Sequence, residues 1–188
     1  LKRITVVSLW GEIEFLNTIT STAELAMGLL IDITRFTPWA FDTVKNYKWD
    51  RENFRGHTLY EKTLGIVGMG RLGTWMARYG KAFGMDVIFY SPHTDKSPVS
   101  GCVKVTFDEL LEKSDFISLH MHLNKETENM FNADVFKKMK KTAYLINTAR
   151  GKVVDEAALL EALKNGEIAG YAADVLADEF HFDDTGLV

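Results

Sequence analysis

The sequence is poor in cysteine, in proline and in long apolar runs, and each shortage narrows the class of protein. It holds one cysteine, Cys102, and three prolines among 188 residues. A single cysteine excludes an intrachain disulfide framework and favours a reducing compartment. The most apolar long segment, residues 25–33, follows Glu24, contains Asp32 and is far shorter than a membrane span. No cationic segment followed by an apolar one resembles a secretion signal, so we expect a cytoplasmic protein without a membrane partner.

Positive charge is also scarce. The 22 lysines and arginines are outnumbered by 26 aspartates and glutamates, which gives a net charge of −4. Because the cations form no basic tract, the chain lacks the electrostatic footprint of a nucleic-acid-binding protein. Its length suffices for one sizeable domain with additions but scarcely for two. We therefore expect neither a nucleic-acid partner nor, from the residue pattern, a metal site.

One glycine-rich segment carries the strongest functional signal. Residues 65–73 contain the pattern G-x-G-x-x-G in Gly68, Gly70 and Gly73, between an apolar run and an amphipathic stretch at 75–83. In this strand–turn–helix context the first glycine allows a tight turn, the second lets the backbone approach a pyrophosphate, and the third lets the helix pack on the strand. The helix N-terminus offers free N–H groups to the anion. The segment predicts a dinucleotide site, although similar glycine turns serve packing alone in many α/β proteins.

After Thr63 the chain alternates short apolar runs with helical periodicity. Several runs are apolar at consecutive positions, as in parallel strands that are covered on both faces. Thr106 with Glu109 forms a capping box, and Asp155 can begin a helix that Asn165 and Gly166 end. This alternation predicts an α/β fold with a doubly wound parallel sheet. The predicted strands are 64–67, 87–90, 116–119, 143–147 and 169–174, with a possible short one at 103–105.

The first sixty residues predict one long helix. Ser21 with Glu24 forms a second capping box, and Pro38 is placed to bend or end the helix near Phe36. An apolar stripe follows helical spacing in Ala26, Leu29, Leu30 and Ile33. Too little chain surrounds this helix for a core of its own, so it must lie on the predicted dinucleotide domain or on a partner subunit. Residues 4–7 predict a further strand.

Six spaced segments together carry a family pattern, most specifically the segment 145–151 with the order Asn-Thr-Ala-Arg-Gly at its end. The others are 22–24 with Arg35, 62–73, 119–124 with Thr127, 154–156 and 170–175. In this order, and over essentially the whole chain, they resemble the D-2-hydroxyacid dehydrogenases, the family that includes 3-phosphoglycerate dehydrogenase and glyoxylate/hydroxypyruvate reductase. The resemblance implies a Rossmann-like NAD(P)-binding domain. It also implies hydride transfer between a nicotinamide cofactor and C2 of a small 2-keto or 2-hydroxy acid.

The resemblance assigns catalytic roles to Arg150 and Glu179. Arg150 would grip the substrate carboxylate and polarise the keto oxygen, a task that suits the planar, permanently charged guanidinium. Glu179, five positions after Asp174, would raise the pKa of a catalytic histidine. The simpler alternatives are an arginine at a strand end and a solvated acidic loop. The family has Glu-x-Glu-Pro here, whereas this chain has Ala-Asp-Glu-Phe at 177–180, which leaves the register of Glu179 less secure than that of Arg150.

The remaining predicted contacts surround the cofactor. By resemblance, Asp174 accepts a hydrogen bond from the nicotinamide carboxamide, while Ser91 ends the second strand where NAD-preferring relatives carry aspartate. The loss of that carboxylate makes NADP possible. No arginine follows Ser91, so NAD is slightly favoured. The other predicted cofactor-binding residues are Arg71, Leu72, His122, Thr127, Thr148, Ala149 and Arg150.

Two departures from the family shape the expected activity. None of the five histidines matches the general acid/base, since His181 is too close to Glu179 in sequence and His120 is better explained by packing or a hydrogen bond. Residues 1–60 would be a remnant of the substrate domain plus a linking and dimerising helix. Residues 61–188 would be an NAD(P)-binding domain that is incomplete at its C-terminal end. We therefore expect a homodimer with little or no turnover by this chain alone.

Two other functions stay open at this point. A domain of this kind can sense NAD(H) or mediate dimerisation without catalysis, and the unmatched histidine is compatible with such a regulatory module. Another Rossmann-type class, such as a methyltransferase, leaves the segment 147–151 unexplained.

Overall fold

The computed structural model describes Leu9 and residues 11–178 of the chain. Six parallel strands form one sheet in the order β3-β2-β1-β4-β5-β6. The chain begins in the middle of the sheet, moves to one edge, and then crosses β1 to build the other half. This is the doubly wound arrangement that the sequence predicts. The strands are β1 (Thr63–Val67), β2 (Asp86–Tyr90), β3 (Cys102–Lys104), β4 (Phe116–Leu119), β5 (Tyr144–Asn147) and β6 (Gly170–Ala173).

Helices cover both faces of the sheet. One face is covered by α2 and α4, and the other by α5, α6 and α7, so each face has its own apolar cluster. The helices are α1 (Ile13–Asn17), α2 (Ser21–Arg35), α3 (Thr37–Lys45), α4 (Arg71–Ala82), α5 (Phe107–Lys113), α6 (Ala133–Lys138) and α7 (Glu156–Lys164). Among the described residues, no helix has the length and apolar character that a membrane crossing requires.

The strands form where the sequence is apolar at consecutive positions. β4 and β5 are buried along their whole length, and β1 is buried from Leu64 onward. Burial of both faces removes the alternation of an exposed sheet, which is why unbroken apolar runs indicated these strands. Each end of an observed strand either agrees with the prediction or differs from it by one residue. The predicted strand at 4–7 lies outside the described residues.

Two of the three predicted helix starts are correct. The Thr106 hydroxyl accepts the Glu109 N–H at 3.2 Å while the Glu109 carboxylate accepts the Thr106 N–H at 3.0 Å, which completes the capping box. Asp155 accepts the Ala158 N–H at 3.1 Å. The capping box at Ser21 is wrong. Ser21 is already helical, the residue before it is the N-cap, and no side chain caps a backbone N–H there.

Helix α2 packs on the sheet. It contacts α4, β5 and β6 through a stripe that buries Ala23, Ala26, Met27, Leu30 and Ile33. The helix ends because Phe36 takes a left-handed conformation with φ of 56°. Pro38 then lies in the first turn of α3, where its missing N–H costs no helical hydrogen bond.

Candidate nucleotide and substrate site

The glycine turn after β1 lies at the point where the strand order reverses. Gly68 has φ of +97°, and a Cβ there would lie 2.6 Å from the backbone oxygen of His120. A Cβ at Gly73 would overlap the carbonyl oxygen of Gly68, so helix α4 lies directly against the turn. A Cβ at Gly70 would meet nothing within 4 Å. Two of the glycines thus serve close packing, while Gly70 borders open space at the helix N-terminus.

This open space leaves the N-terminus of α4 accessible to an anion. Gly70 is the N-cap of α4 and provides no side-chain cap for the N–H groups of the first helical turn. Free N–H groups and the positive end of the helix dipole favour an anion at this position. The predicted contacts of Arg71 and Leu72, from both backbone and side chain, belong to this turn. The Arg71 side chain, however, donates a hydrogen bond to the carbonyl oxygen of Ile19.

The end of β2 offers no carboxylate at the predicted ribose position. Ser91 follows the strand and is buried. The nearest acidic side chain in the sequence of this loop, Asp95, forms an ion pair with Lys104 at 2.8 Å, and the hydrogen bond from that lysine lowers the pKa of Asp95. The loop carboxylate is therefore already paired with a lysine of β3.

Two histidines follow β4, one partly buried and one exposed. His120 is partly buried, its Nε2 lies 2.9 Å from the Ser118 hydroxyl, and its buried Nδ1 has no hydrogen-bond partner within the described residues. Burial lowers the pKa of His120 to about 4, so the ring is neutral at pH 7. The exposed His122 contributes its carbonyl oxygen, which accepts the Thr127 hydroxyl at 2.7 Å. These contacts confirm that His120 is hydrogen-bonded and bring His122 and Thr127 together in one turn.

The end of β5 is shaped by a buried amide. Asn147 donates to the Arg150 carbonyl oxygen at 3.0 Å and lies 3.1 Å from the Tyr171 hydroxyl, and it accepts the Ala149 N–H at 3.0 Å. These bonds set the backbone of the turn that carries Thr148, Ala149 and Arg150. Thr148 and Ala149 are buried, and the Thr148 hydroxyl has no partner among the described residues.

Arg150 borders a cleft at this edge. Arg150 is exposed, and its guanidinium donates a hydrogen bond to the Ala149 carbonyl oxygen at 2.6 Å. The cleft has a volume of about 630 Å³, and its lining residues are Leu123, Arg150, Gly151, Lys152, Leu176, Ala177 and Asp178. Asp174 follows β6 at the same edge, where its N–H donates to the Asn147 carbonyl oxygen at 3.4 Å. Glu179 lies outside the described residues.

Comparison with known proteins identifies the family. Residues 27–188 match the D-isomer specific 2-hydroxyacid dehydrogenase family, in the part described as its NAD binding domain. The chain belongs to this family. It is 45% identical over 165 residues to the D-3-phosphoglycerate dehydrogenase of Bacillus subtilis, a match that covers 87% of this chain and 31% of that protein. It is 43% identical to the glyoxylate reductase of Thermococcus litoralis over 87% of this chain and 52% of that protein.

A solved structure supports both the fold and the cofactor. The D-lactate dehydrogenase of Aquifex aeolicus, crystallised with NAD and lactic acid, matches with a TM-score of 0.81 and 38% identity. That match covers 86% of this chain and 49% of the other. The chain thus spans about a third to a half of the length of these relatives and corresponds to their NAD-binding domain.

Sequence reasoning missed two residues that hold the Arg150 turn in place without lining the cleft. Asn147 was part of the family pattern but received no role of its own, and Tyr171 received none either. One signal was available, because Asn147 directly follows the buried apolar pair Leu145 and Ile146 in β5. A buried amide is costly unless it is hydrogen-bonded, so an asparagine that continues a buried strand predicts a network at the strand end.

The desolvated ring of His120, with its buried Nδ1, predicts a specific loss of stability in acid. Its pKa is near 4 in the fold against an ordinary value of 6.5, so the unfolded chain takes up a proton at a higher pH than the folded one. Stability from the neutral ring is therefore present above pH 6.5 and is lost as the pH falls towards 4. The expected loss between pH 7 and pH 4.5 is on the order of 2 kcal/mol.

Urea unfolding at both pH values measures this loss. Because carboxylates also titrate in this range, the comparison is with His120→Gln, which keeps a polar side chain but cannot take up the proton. The fall in the free energy of unfolding between the two pH values should be smaller in the variant. Equal falls in the two proteins would contradict the assignment.

Proposed function

We propose that this chain is the cofactor-binding part of an oxidoreductase that transfers a hydride between NAD(H) and C2 of a small 2-hydroxy or 2-keto acid. The observation that carries the proposal is the placement of two features at one edge of the sheet. The turn at Gly70 leaves room for a pyrophosphate, and Arg150 borders a cleft at the end of β5. In doubly wound sheets, ligands bind at this carboxyl edge, near the point where the strand order reverses.

The proposed roles follow from the chemistry of each group. Bound NADH supplies the hydride, and the protein orients the substrate and polarises it. Arg150 binds the substrate carboxylate and stabilises charge on the keto oxygen with its fork of N–H donors. Asp174 accepts a hydrogen bond from the carboxamide group of the nicotinamide. Glu179 raises the pKa of a histidine that exchanges a proton with the substrate. The contacts that we propose for NAD come from Gly68, Gly70, Arg71, Leu72, Gly73, Ser91, His122, Thr127, Thr148, Ala149 and Arg150.

We further propose that the 188-residue chain binds the cofactor but has little or no turnover alone. Two observations support this. No histidine of the sequence matches the family's acid/base, and the pKa of His120 is lowered to about 4 by desolvation, far from the value that suits proton exchange near pH 7. The division into a linking part at 1–60 and a cofactor domain at 61–188 belongs to the same proposal.

A homodimer is the proposed assembly. Helices α2 and α3 and the residues that follow α3 expose several large apolar side chains, among them Leu25, Trp39, Phe41, Val44 and Trp49. An apolar surface of this kind is typical of an interface between subunits. The proposed partner is a second copy of the chain, placed in the cytoplasm.

Removal of Arg150 tests the reaction class. In the protein at its full natural length, Arg150→Ala should lower kcat/KM for a 2-keto acid at least 100-fold, because a carboxylate contact to a fixed guanidinium is lost. The Kd for NADH should rise much less, by at most tenfold, because the other proposed NAD contacts remain. Arg55→Ala, which removes an exposed arginine paired with Glu52, is the control. Equal kcat/KM values in the Arg150 variant and the unchanged protein would contradict the role.

Gly70 allows the cofactor site to be tested without disturbing the fold. Gly70→Ala should leave the free energy of unfolding within about 0.5 kcal/mol of the original, because the added Cβ meets nothing within 4 Å. It should raise the Kd for NADH at least tenfold, because the methyl group fills space needed by the pyrophosphate. Quenching of tryptophan fluorescence measures the binding.

Gly28 provides the matched control for this experiment. It also has open space around its Cα, but it lies within α2. Gly28→Ala should leave NADH binding unchanged. If Gly70→Ala binds NADH as tightly as the original chain, the glycine turn does not hold the pyrophosphate.

Ser91 is the proposed determinant of cofactor choice. We expect the chain to bind NADH more tightly than NADPH, since no arginine follows Ser91, but with weak discrimination. Ser91→Asp places a carboxylate where a 2′-phosphate would lie. It should raise the Kd ratio of NADPH to NADH at least tenfold by charge repulsion. Ser100→Asp adds the same charge at an exposed position of the same loop and should leave the ratio unchanged.

A further inference from the structure

The loop that follows β6 is held by one carboxylate. Glu156, the first residue of α7, accepts the N–H of Ala177 on its Oε1 at 2.7 Å. The two residues are 21 positions apart, so this bond ties the start of α7 to the loop 174–178. A hydrogen bond to an ionised carboxylate is roughly twice as strong as one between neutral groups. Glu156 therefore holds the loop 174–178, which follows β6, through a strong hydrogen bond.

A second contact fixes the same loop beside Arg150. A Cβ at Gly151 would overlap the carbonyl group of Leu176, so the two backbones touch with no side chain between them. Gly151 directly follows Arg150 and begins a 3-10 turn at Gly151–Val153. The loop 174–178 thus packs on the turn that presents Arg150 to the cleft.

Glu156 is itself held in place. Asp155 caps α7 by accepting the Ala158 N–H at 3.1 Å, and its own N–H donates to the Phe131 carbonyl oxygen at 2.9 Å. A carboxylate in the first turn of a helix is stabilised by the helix dipole. These contacts fix the start of α7, from which the Glu156 side chain extends.

The Tyr171 side chain lies between Glu156 and the Arg150 turn. Burial raises the pKa of Tyr171 to about 12, with a smaller contribution from the negative charges of Glu156 and Asp174. Both carboxylates therefore lie near enough to the Tyr171 hydroxyl for their charges to act on it. The Tyr171 hydroxyl is hydrogen-bonded to Asn147, whose amide also holds the Arg150 carbonyl oxygen.

We propose that Glu156 is a positioning residue of the substrate site. Its carboxylate fixes the loop 174–178 against the Arg150 turn, so that Asp174 and the residues up to Asp178 are held at a set distance from the guanidinium. The inference rests on the proposed function for its catalytic meaning, while the anchoring of the loop is a separate, structural claim. Each claim has its own measurement.

Hydrogen exchange at the Ala177 amide, followed by NMR on the 188-residue chain, tests the anchoring. Glu156→Ala should speed exchange at this amide at least tenfold, because its acceptor is lost. Glu156→Gln keeps an oxygen acceptor and should restore most of the protection. Glu161→Ala removes an exposed glutamate of the same helix and should change nothing. Unchanged protection of Ala177 in Glu156→Ala would overturn the proposal.

Kinetics of the protein at its full natural length tests the catalytic meaning. In Glu156→Ala, kcat/KM for a 2-keto acid, per mole of folded protein, should fall at least tenfold while the Kd for NADH stays within threefold. Glu156→Gln should lie within threefold of the original. A Glu156→Ala protein that loses stability but keeps its kcat/KM would show a structural role only and overturn the positioning role.

Two further results complete the test. Glu156→Asp keeps the acid that stabilises the first turn of α7 but shortens it by one methylene. If the alanine variant fails to fold, the aspartate variant should still show faster exchange at Ala177 and lower kcat/KM. If the original protein reduces no 2-keto acid, the proposed function fails and the positioning role fails with it. Protection at Ala177 still decides whether Glu156 anchors the loop.

Discussion

The close approach of two backbones at the centre of the sheet is the constraint on which the site depends. β1 and β4 are neighbours although they are separated in sequence, and the turn after β1 passes so close to His120 that a Cβ at Gly68 would lie 2.6 Å from its carbonyl oxygen. Helix α4 then begins directly above this turn, because Gly73 also lacks a side chain that would hold it away. The result is a helix N-terminus at the point where the strand order reverses, with open space at Gly70. A larger residue at Gly68 or Gly73 would lift the helix and remove the geometry that suits an anion.

At the same edge of the sheet, the region after β5 and β6 is held by polar side chains rather than by close backbone contacts. Asn147 is completely buried, yet its amide oxygen and nitrogen have three partners, the Ala149 and Arg150 backbone after β5 and the Tyr171 hydroxyl on β6. Burial of an unpaired amide is unfavourable, so such a group stays in a core only where its hydrogen bonds are complete. Because its partners include the backbone on both sides of Arg150, the bonds that satisfy Asn147 also fix the turn that presents the guanidinium. Glu156 acts on the adjacent loop in the same manner.

Sequence alone predicted the elements whose cause is local. The strands of a parallel sheet are apolar at consecutive positions, and the capping box at Thr106 and Glu109 needs only residues three apart, so both could be recognised without a structure. The cap at Ser21 was misplaced by one residue because Thr20 and Ser21 are both suitable N-caps. The hydrogen bond of Arg71 to Ile19 and that of Glu156 to Ala177 could not be predicted. Each joins residues that are distant in sequence, and only the packed fold brings them together.

The glycine turn after β1 and the Arg150 turn after β5 should respond differently to substitution, because one is shaped by backbone groups and the other by side chains. The glycine turn uses backbone N–H groups and empty space, so the side chains at Arg71 and Leu72 are not needed to shape it, and Arg71 is hydrogen-bonded to the segment before α2. The edge that carries Arg150 depends on side chains whose partners lie on other elements. A change at Asn147, Tyr171 or Glu156 leaves a buried group unpaired or frees a loop, even though none of these residues borders the cleft. Substitutions outside the cleft can therefore alter the geometry around Arg150 while the glycine turn stays intact, because that geometry is set by side chains that do not line the cleft.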